Sequence, residues 1–334
     1  MAGNIPSSLP TTIYRLLPYL IYCIISKNLK KRAKLPFVLK EYPSQIGDRI
    51  QLHLIKNHGL SPSNAQNLLD RGKIFDADMN KLKKSDTIQT DSIFISEFAG
   101  STRGLKPIFT TDDFAIFDKP SGVIVHPVHK FTQYCLLDEV KYHFGSNANI
   151  VHRIDAETSG LVLVARTKEA EIELKTMFEN KGYKKEYLAV VNGIINEQIE
   201  IDKPIDDHKE SKLRVKMGVF ESGKDSLTII TPLKKDFIQN RTLVKAVPIT
   251  GRQHQIRVHL DHIGHTIIGD PIYGIDEEIG DAYLCKTLSD EDRIKYTLSH
   301  RLWLHAEYLE FSYKDIIYKF HSKNTELLEF FNKN

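Results

Sequence analysis

Residues 151–164 read Val151-His152-Arg153-Ile154-Asp155-Ala156-Glu157-Thr158-Ser159-Gly160-Leu161-Val162-Leu163-Val164. The second half, Leu161 to Val164, is an unbroken aliphatic run, the composition of a short strand covered on both faces. The first half is polar and ends in Glu157-Thr158-Ser159-Gly160, a turn in which Gly160 can take backbone angles closed to other residues. A buried strand would therefore hold a loop that presents His152, Arg153 and Asp155 at its mouth. Loops anchored by a rigid scaffold are where chemistry is commonly carried. Taken alone, the spacing leaves two readings of Asp155 open: a turn or capping residue, and a catalytic carboxylate.

The chain around this stretch has 334 residues, enough for two domains and a sizeable core. Its 41% apolar and 27% charged content is that of an ordinary globular protein, and a net charge of +3 permits a local nucleic-acid-binding patch without arguing for one. Cys23, Cys135 and Cys285 have no paired spacing, so neither a disulfide framework nor a zinc knuckle is expected, and a reducing, cytoplasmic setting is. Residues 1–40 carry seven basic residues before the first acid, Glu41, and an apolar run from Leu16 to Ile25 broken by Pro18. That run is shorter than the roughly 20 apolar residues that cross a bilayer, and its charge lies on the wrong side for a signal peptide. We read 1–40 as a basic extension without chemistry and expect no membrane association.

Residues 41–97 read as a small α/β module. An amphipathic stretch from Ile50 to Ile55 closes near Gly59. Ser61-Pro62 has N-cap and first-turn chemistry for a helix bearing Ala65, Leu68 and Leu69, with Gly72 placed to end it. Lys73-Ile74-Phe75 and Ser92 to Ile95 read as extended segments. The order Ser-x-x-x-Ala-x-x-Leu-Leu-x-x-Gly-x-Ile resembles an S4-type RNA-binding domain, departing from it at Phe75-Asp76-Ala77-Asp78, where a Val-Asn-Gly turn is usual. The resemblance implies RNA contact through Arg71, Lys73, Lys83 and Lys84, with Lys81 beside them. Such contacts to phosphate supply affinity without sequence choice. The plain alternative is a solvated basic face. Residues 98–106, small and glycine-containing, read as a linker to a single large domain, 107–334.

In that larger part, Phe114 to Phe117 and Val123 to Val125 read as strands either side of Asp118-Lys119-Pro120-Ser121-Gly122. Leu136 to Phe144 and Lys168 to Asn180 read as helices, and Tyr187 to Val191 as a strand with Asn192-Gly193 as a hairpin turn. By pattern, Tyr187 is a half-buried packing residue. Leu243 to Pro248 is a further strand. Thr250 and Gln253 form a capping-box pattern that starts a helix near Gly251, with Ile256, Leu260 and Ile263 as its buried stripe and Arg257 one position off it. His254, His259, His262 and His265 lack the His-Glu-x-x-His spacing and any carboxylate or thiolate cluster, so no metal is expected.

Several of these segments, in order, resemble one family. His152-Arg153-Ile154-Asp155-Ala156-Glu157-Thr158-Ser159-Gly160-Leu161 resembles the His-Arg-Leu-Asp-x-x-Thr-Ser-Gly-Leu signature of the RluA-type pseudouridine synthases, with Ile154 in place of Leu. Asp118-Lys119-Pro120 resembles its Asn-Lys-Pro segment, and Lys185-Glu186-Tyr187 its Lys-x-Tyr strand. Thr250 to Leu260, Ile263 to Gly274 and Arg301 to Ala306 resemble three further motifs. The likeness spans roughly 114–311 and is similar to the RluC and RluD kind, which carry an S4-like domain.

The resemblance implies an α+β pseudouridine synthase fold with a mostly antiparallel central sheet, preceded by the S4-like module. It implies an isomerase that breaks the N-glycosidic bond of a uridine and rejoins C5 to the sugar, needing no cofactor. Asp155 would be the catalytic carboxylate, by attack on the sugar or by proton abstraction from it. Arg257 would be its ion-pair partner, Tyr187 would stack on the base and assist the final proton removal at C5, and Arg153 would fill the stack or bind phosphate. The expected partner is large-subunit ribosomal RNA, with transfer RNA as the alternative substrate, acted on by a monomer. A non-catalytic RNA-binding assembly factor and a glycosidase-like hydrolase are the competing readings. The latter calls for two carboxylates, and here Glu157 is a weak second.

Overall fold

The computed structural model describes residues 37–128 and 132–333. Most of the basic extension expected over 1–40 lies outside them. Backbone proximity divides the chain into two units, with a break between Ser101 and Thr102.

The smaller unit consists of β1 (Phe37–Pro43), α1 (Ile50–His58), α2 (Pro62–Asp70), β2 (Ile74–Asp76) and β3 (Ser92–Phe98). Its sheet has the order β1-β3-β2, every neighbour antiparallel. The Ser61 hydroxyl accepts the Asn64 amide and Pro62 occupies the first turn, as local chemistry dictates. Gly59 ends α1 in the left-handed region. Ile50, Leu54, Ala65, Leu69, Ile74, Ile88, Ile93 and Ile95 close a core between the helices and the sheet. The basic extension was drawn four residues too long. Lys40, its last residue, pairs with Ile95 in β1, because the open edge of β3 takes a strand there.

The larger unit runs β4 (Phe109–Thr110), β5 (Phe114–Lys119), α3 (Leu136–Phe144), β6 (Asn149–Ile150), β7 (Ser159–Ala165), α4 (Lys168–Glu179) and β8 (Tyr183–Asn192). It continues β9 (Ile199–Asp202), β10 (Ile205–Asp207), β11 (Met217–Val219), β12 (Leu227–Asp236), β13 (Arg241–Pro248) and α5 (Gln255–His262). It ends with α6 (Glu277–Leu284), α7 (Asp290–Thr297), β14 (Leu304–Tyr313), β15 (Ile316–His321) and α8 (Glu326–Asn332). A ten-stranded sheet follows the order β4-β5-β7-β14-β8-β13-β12-β9, with β15 on β14 and β6 on β7, while β10 and β11 pair separately. Its ladders are antiparallel except the short parallel contact of β7 with β14. The architecture is mixed α+β with a mostly antiparallel sheet.

Every residue of β7 is buried, as its aliphatic run requires. Gly160 is needed for a second reason. It has φ +111°, and a Cβ there would sit 2.3 Å from the Ala306 carbonyl oxygen of β14. The parallel contact Ser159–His305 and Ala306–Gly160 exists because that position has no side chain.

Three local expectations are corrected. Val123 to Val125 is not a strand: the Val123 carbonyl accepts from Lys119, and those of Ile124 and Val125 accept the first amides of α3. Asn192-Gly193 is not a hairpin turn, since β8 lies between β13 and β14, and Asn192 is fastened to Thr266 through both backbone and side chain. The helix expected from Gly251 begins at Gln255, after His254 in the left-handed region. There Gln255, not Gln253, closes the turn by taking the Thr250 hydroxyl and the Arg252 amide.

Candidate active site

The loop between β6 and β7 carries Asp155, and the sheet fixes that loop from below. Lys119, at the end of β5, is fully buried and donates to the carbonyls of Pro120 (3.0 Å), Val123 (2.7 Å) and Ala156 (2.9 Å). Burial pulls its pKa down to about 7, against the opposing pull of the Glu157 and Asp155 carboxylates. The Ser121 hydroxyl donates to the Glu157 carbonyl at 2.6 Å, and Gly122 N donates to that of Ala156 at 2.9 Å. The Glu157 carboxylate accepts from Tyr283 Oη and Arg293 Nη2, each at 2.6 Å, joining the loop to α6 and α7. Glu157 is therefore committed to structure, which removes the second carboxylate that a hydrolase would need.

Asp155 keeps 28% of its side chain exposed. Arg257, on α5, reaches it with Nη1 at 3.1 Å from Oδ2. The same guanidinium donates Nε and Nη2 to the two oxygens of Asp270, at 2.7 and 2.8 Å. Arg257 and Asp270 are 3% and 1% exposed, so this is a buried bidentate pair with one remaining arm aimed at Asp155. Burial opposes the guanidinium charge, but Asp270 and then Asp155 outweigh it and hold the pKa above its ordinary value. Asp270 Oδ1 also accepts the Ile272 and Tyr273 amides. Arg257 was expected at the edge of the core; it lies inside it.

Tyr187, on β8, lies opposite Ala246 of β13 and Ala306 of β14. It is buried, and burial, then the Asp155 charge, then Tyr183, push its hydroxyl well above the usual phenol range. At neutral pH it is a phenol, able to stack and donate. His254 completes the cluster. Its Nε2 is 3.8 Å from Asp155 Oδ2 and its Nδ1 is 3.0 Å from Tyr273 Oη. Burial and the Arg257 charge pull its pKa down to about 4, so it is neutral.

Three of the four histidines considered as metal ligands are engaged with separate partners. His259 bonds Thr228 and the Lys203 carbonyl, His265 bonds the Asn192 carbonyl, and His254 faces Asp155. Among the described residues no group of three or more His, Cys, Asp or Glu is placed to hold a metal ion.

The expected RNA contacts fall in two places. Arg153 is exposed on the Asp155 loop, and its charge helps to lower the pKa of His126. In the smaller unit Arg71, Lys83 and Lys84 share the wall of a cleft of about 900 Å³ with Arg49 and Lys81, Asp70 being the acid among them. Lys73 is not on that wall. It is half-buried, and burial and Arg71 lower its pKa. Asp270 and Tyr273 had no role in the sequence reading, and His254 entered it only among the histidines set aside as metal ligands. Their one signal was membership of the motif segments Thr250 to Leu260, which also holds Arg257, and Ile263 to Gly274.

A family model described as RNA pseudouridylate synthase matches residues 113–262, which hold Asp155, Tyr187 and Arg257. A Helicobacter pylori protein described as an uncharacterized RNA pseudouridine synthase is 37% identical over 264 residues, covering 78% of this chain and 86% of the relative. The chain belongs to the RNA pseudouridylate synthase family. As a family member of the RluA type it is an enzyme, an isomerase. A Pseudomonas aeruginosa relative described as ribosomal large subunit pseudouridine synthase D is 32% identical, covering 75% of this chain and 79% of its own length. The solved structure described as Human RNA Pseudouridylate Synthase Domain Containing 1 aligns with TM-score 0.55 at 25% identity, over 68% of this chain and 86% of its own. Human RNA Pseudouridylate Synthase Domain Containing 4 shares the fold, with TM-score 0.52 at 22% identity over 67% and 90%. Among the described residues no helix is long and apolar enough to cross a membrane.

Proposed function

We propose that this pseudouridine synthase isomerises uridines of large-subunit ribosomal RNA, with Asp155 as the catalytic carboxylate. The observation that carries the reading is the contact of Asp155 with Arg257. A half-open carboxylate faces solvent while a buried guanidinium, itself locked on Asp270, stabilises its charge. Oδ2 is held, and Oδ1 is the oxygen left to meet the sugar. Tyr187 lies against the flipped uracil and donates from its hydroxyl as charge develops on the ring. Arg153, exposed on the same loop, meets RNA where the uridine leaves its stack.

The ribosomal assignment is supported by the Pseudomonas aeruginosa relative and by the smaller unit, which we take to be S4-like. Its helix pair, glycine-ended turn and basic wall of Arg71, Lys83 and Lys84 suit phosphate contact, with Lys73 at the margin. Three cysteines without paired spacing suit the cytoplasm, and we take the chain to act as a monomer.

The test is pseudouridine mapping of total RNA from cells lacking the gene, complemented with wild type or Asp155→Ala. Sites in large-subunit RNA restored by wild type alone are the expected result. Sites restored in transfer RNA would move the substrate, and restoration by Asp155→Ala would end the catalytic assignment.

A further inference from the structure

The contacts around Tyr273 fix more than its own position. The Met217 amide donates to Tyr273 Oη at 3.0 Å, and Oη lies 3.0 Å from His254 Nδ1. Met217 N can only donate, so it takes one lone pair of the phenol. If the phenol proton goes to Nδ1, each group in the row has a partner: amide to phenol oxygen, phenol hydrogen to imidazole nitrogen. The reverse arrangement, with Nδ1–H donating to the phenol, leaves the hydroxyl hydrogen without an acceptor in a site where Tyr273 is 3% exposed. Hydrogen-bond satisfaction thus selects one tautomer of His254, and its remaining proton sits on Nε2. That nitrogen faces Asp155 Oδ2, the oxygen already held by Arg257 Nη1.

We propose that Tyr273 is a positioning residue that locks His254 as the Nε2–H tautomer, and that His254 thereby acts as a second donor to Asp155 Oδ2, leaving Oδ1 as the reacting oxygen. The inference rests on the assignment of Asp155 as the catalytic carboxylate. The 3.8 Å separation of Nε2 and Oδ2 is longer than a hydrogen bond. It closes when RNA fills the site, as catalytic contacts commonly tighten in the complex. His254 sits at φ 55°, a left-handed conformation that α5 accepts at its N-terminal cap, so the backbone is set to aim this ring. A charged imidazole would serve the purpose less selectively, because it would donate from both nitrogens and break the bond with the phenol hydrogen. Burial beside Arg257 keeps it neutral.

Two measurements test this on the full chain. Long-range proton–nitrogen correlation spectra of ¹⁵N-histidine-labelled protein, with the His254 signal assigned by its loss in His254→Gln, report the tautomer. The expected state is Nε2–H in wild type, with Nδ1–H growing in Tyr273→Phe; an Nδ1–H signal in wild type overturns the proposal. Single-turnover isomerisation of unmodified ribosomal RNA gives the second reading. Glutamine places its amide nitrogen where Nε2 lies and asparagine where Nδ1 lies. His254→Gln is therefore expected within about threefold of wild type, and His254→Asn about thirtyfold slower, the order carried by a hydrogen bond to a charged group. RNA half-saturation should be unchanged in both. Equal losses in the two variants indicate a packing role and overturn the proposal. A fully active Asp155→Asn overturns the underlying assignment, whereas an inactive Asp155→Asn with an Nδ1–H wild type overturns this inference alone.

Discussion

Asp270→Asn is the substitution whose consequence the geometry specifies most closely. Asparagine keeps the shape but removes the charge, and puts an amide NH₂ against one of the two guanidinium donors now at 2.7 and 2.8 Å. Arg257 is 3% exposed, so its charge would be left with one ionised partner, Asp155, itself open to solvent. Breaking a buried pair from one side costs about 3–5 kcal/mol, and the acceptor oxygen that asparagine retains puts this case near 3. At roughly 2–4 °C per kcal/mol for a unit of this size, the melting temperature should fall by about 6–12 °C. Turnover should fall too, because the guanidinium is no longer braced toward Asp155. Thermal unfolding followed by circular dichroism gives the first reading and single-turnover isomerisation the second. Adding Arg257→Met to Asp270→Asn should recover part of the stability and none of the activity, since the stranded charge is gone. A single variant melting within about 2 °C of wild type would refute the view that this pair is a closed, buried unit.

Other outcomes follow from other contacts. Gly160→Ala places a Cβ 2.3 Å from the Ala306 carbonyl oxygen at φ +111°, so the β7–β14 contact must open; loss of soluble folded protein, or a large drop in melting temperature, is expected. Burial, then the Asp118 charge, raise the Glu307 carboxyl to about 7. The native state therefore binds more protons than the unfolded chain between about pH 4.5 and 7, and this group's contribution to stability falls as pH rises through that window. Glu307→Gln should be near neutral at pH 4.5 and stabilising at pH 8 by on the order of 1–2 kcal/mol, discounted because the carboxylate is a quarter exposed. Denaturant titrations at both pH values would show it, and an equal effect at each would refute it. Replacing Arg71, Lys83 and Lys84 together by alanine should weaken RNA binding uniformly across sequences and reduce the salt slope by about 2, measured by filter binding over a salt series. An unchanged slope would mean that this basic wall is solvated surface.

What the sequence made legible was mostly local. Ser61 capping its helix, Gly59 ending another and the aliphatic run of β7 each depend on residues a few positions apart, and the structure has all of them. The Asp155 loop was legible for the same reason, its polar turn standing directly before a buried strand. Contacts between distant segments were not. Gly160 was read as a turn residue, but its clash partner Ala306 arrives from a strand far along the chain. Asn192-Gly193 has hairpin chemistry, yet β8 finds β13 and β14 as partners and the turn is pinned to Thr266 instead. Gln253 had the spacing of a capping residue, but His254 takes a left-handed conformation and passes the role to Gln255. At the site, the pattern put Arg257 one step off the apolar stripe and so at a core edge; only Asp270, brought in from beyond the helix, explains how a guanidinium is buried there.

The central claim is that Asp155, held by Arg257, carries an isomerisation at uridine C5. It is tested most directly with unmodified ribosomal RNA labelled with tritium at uridine C5, incubated with wild type and Asp155→Asn. Forming the new carbon–carbon bond releases that hydrogen to water. Wild type should release tritium without free uracil, and Asp155→Asn, with fold and RNA binding intact, should release none. Tritium release by Asp155→Asn at the wild-type rate, or free uracil from wild type, would contradict the account.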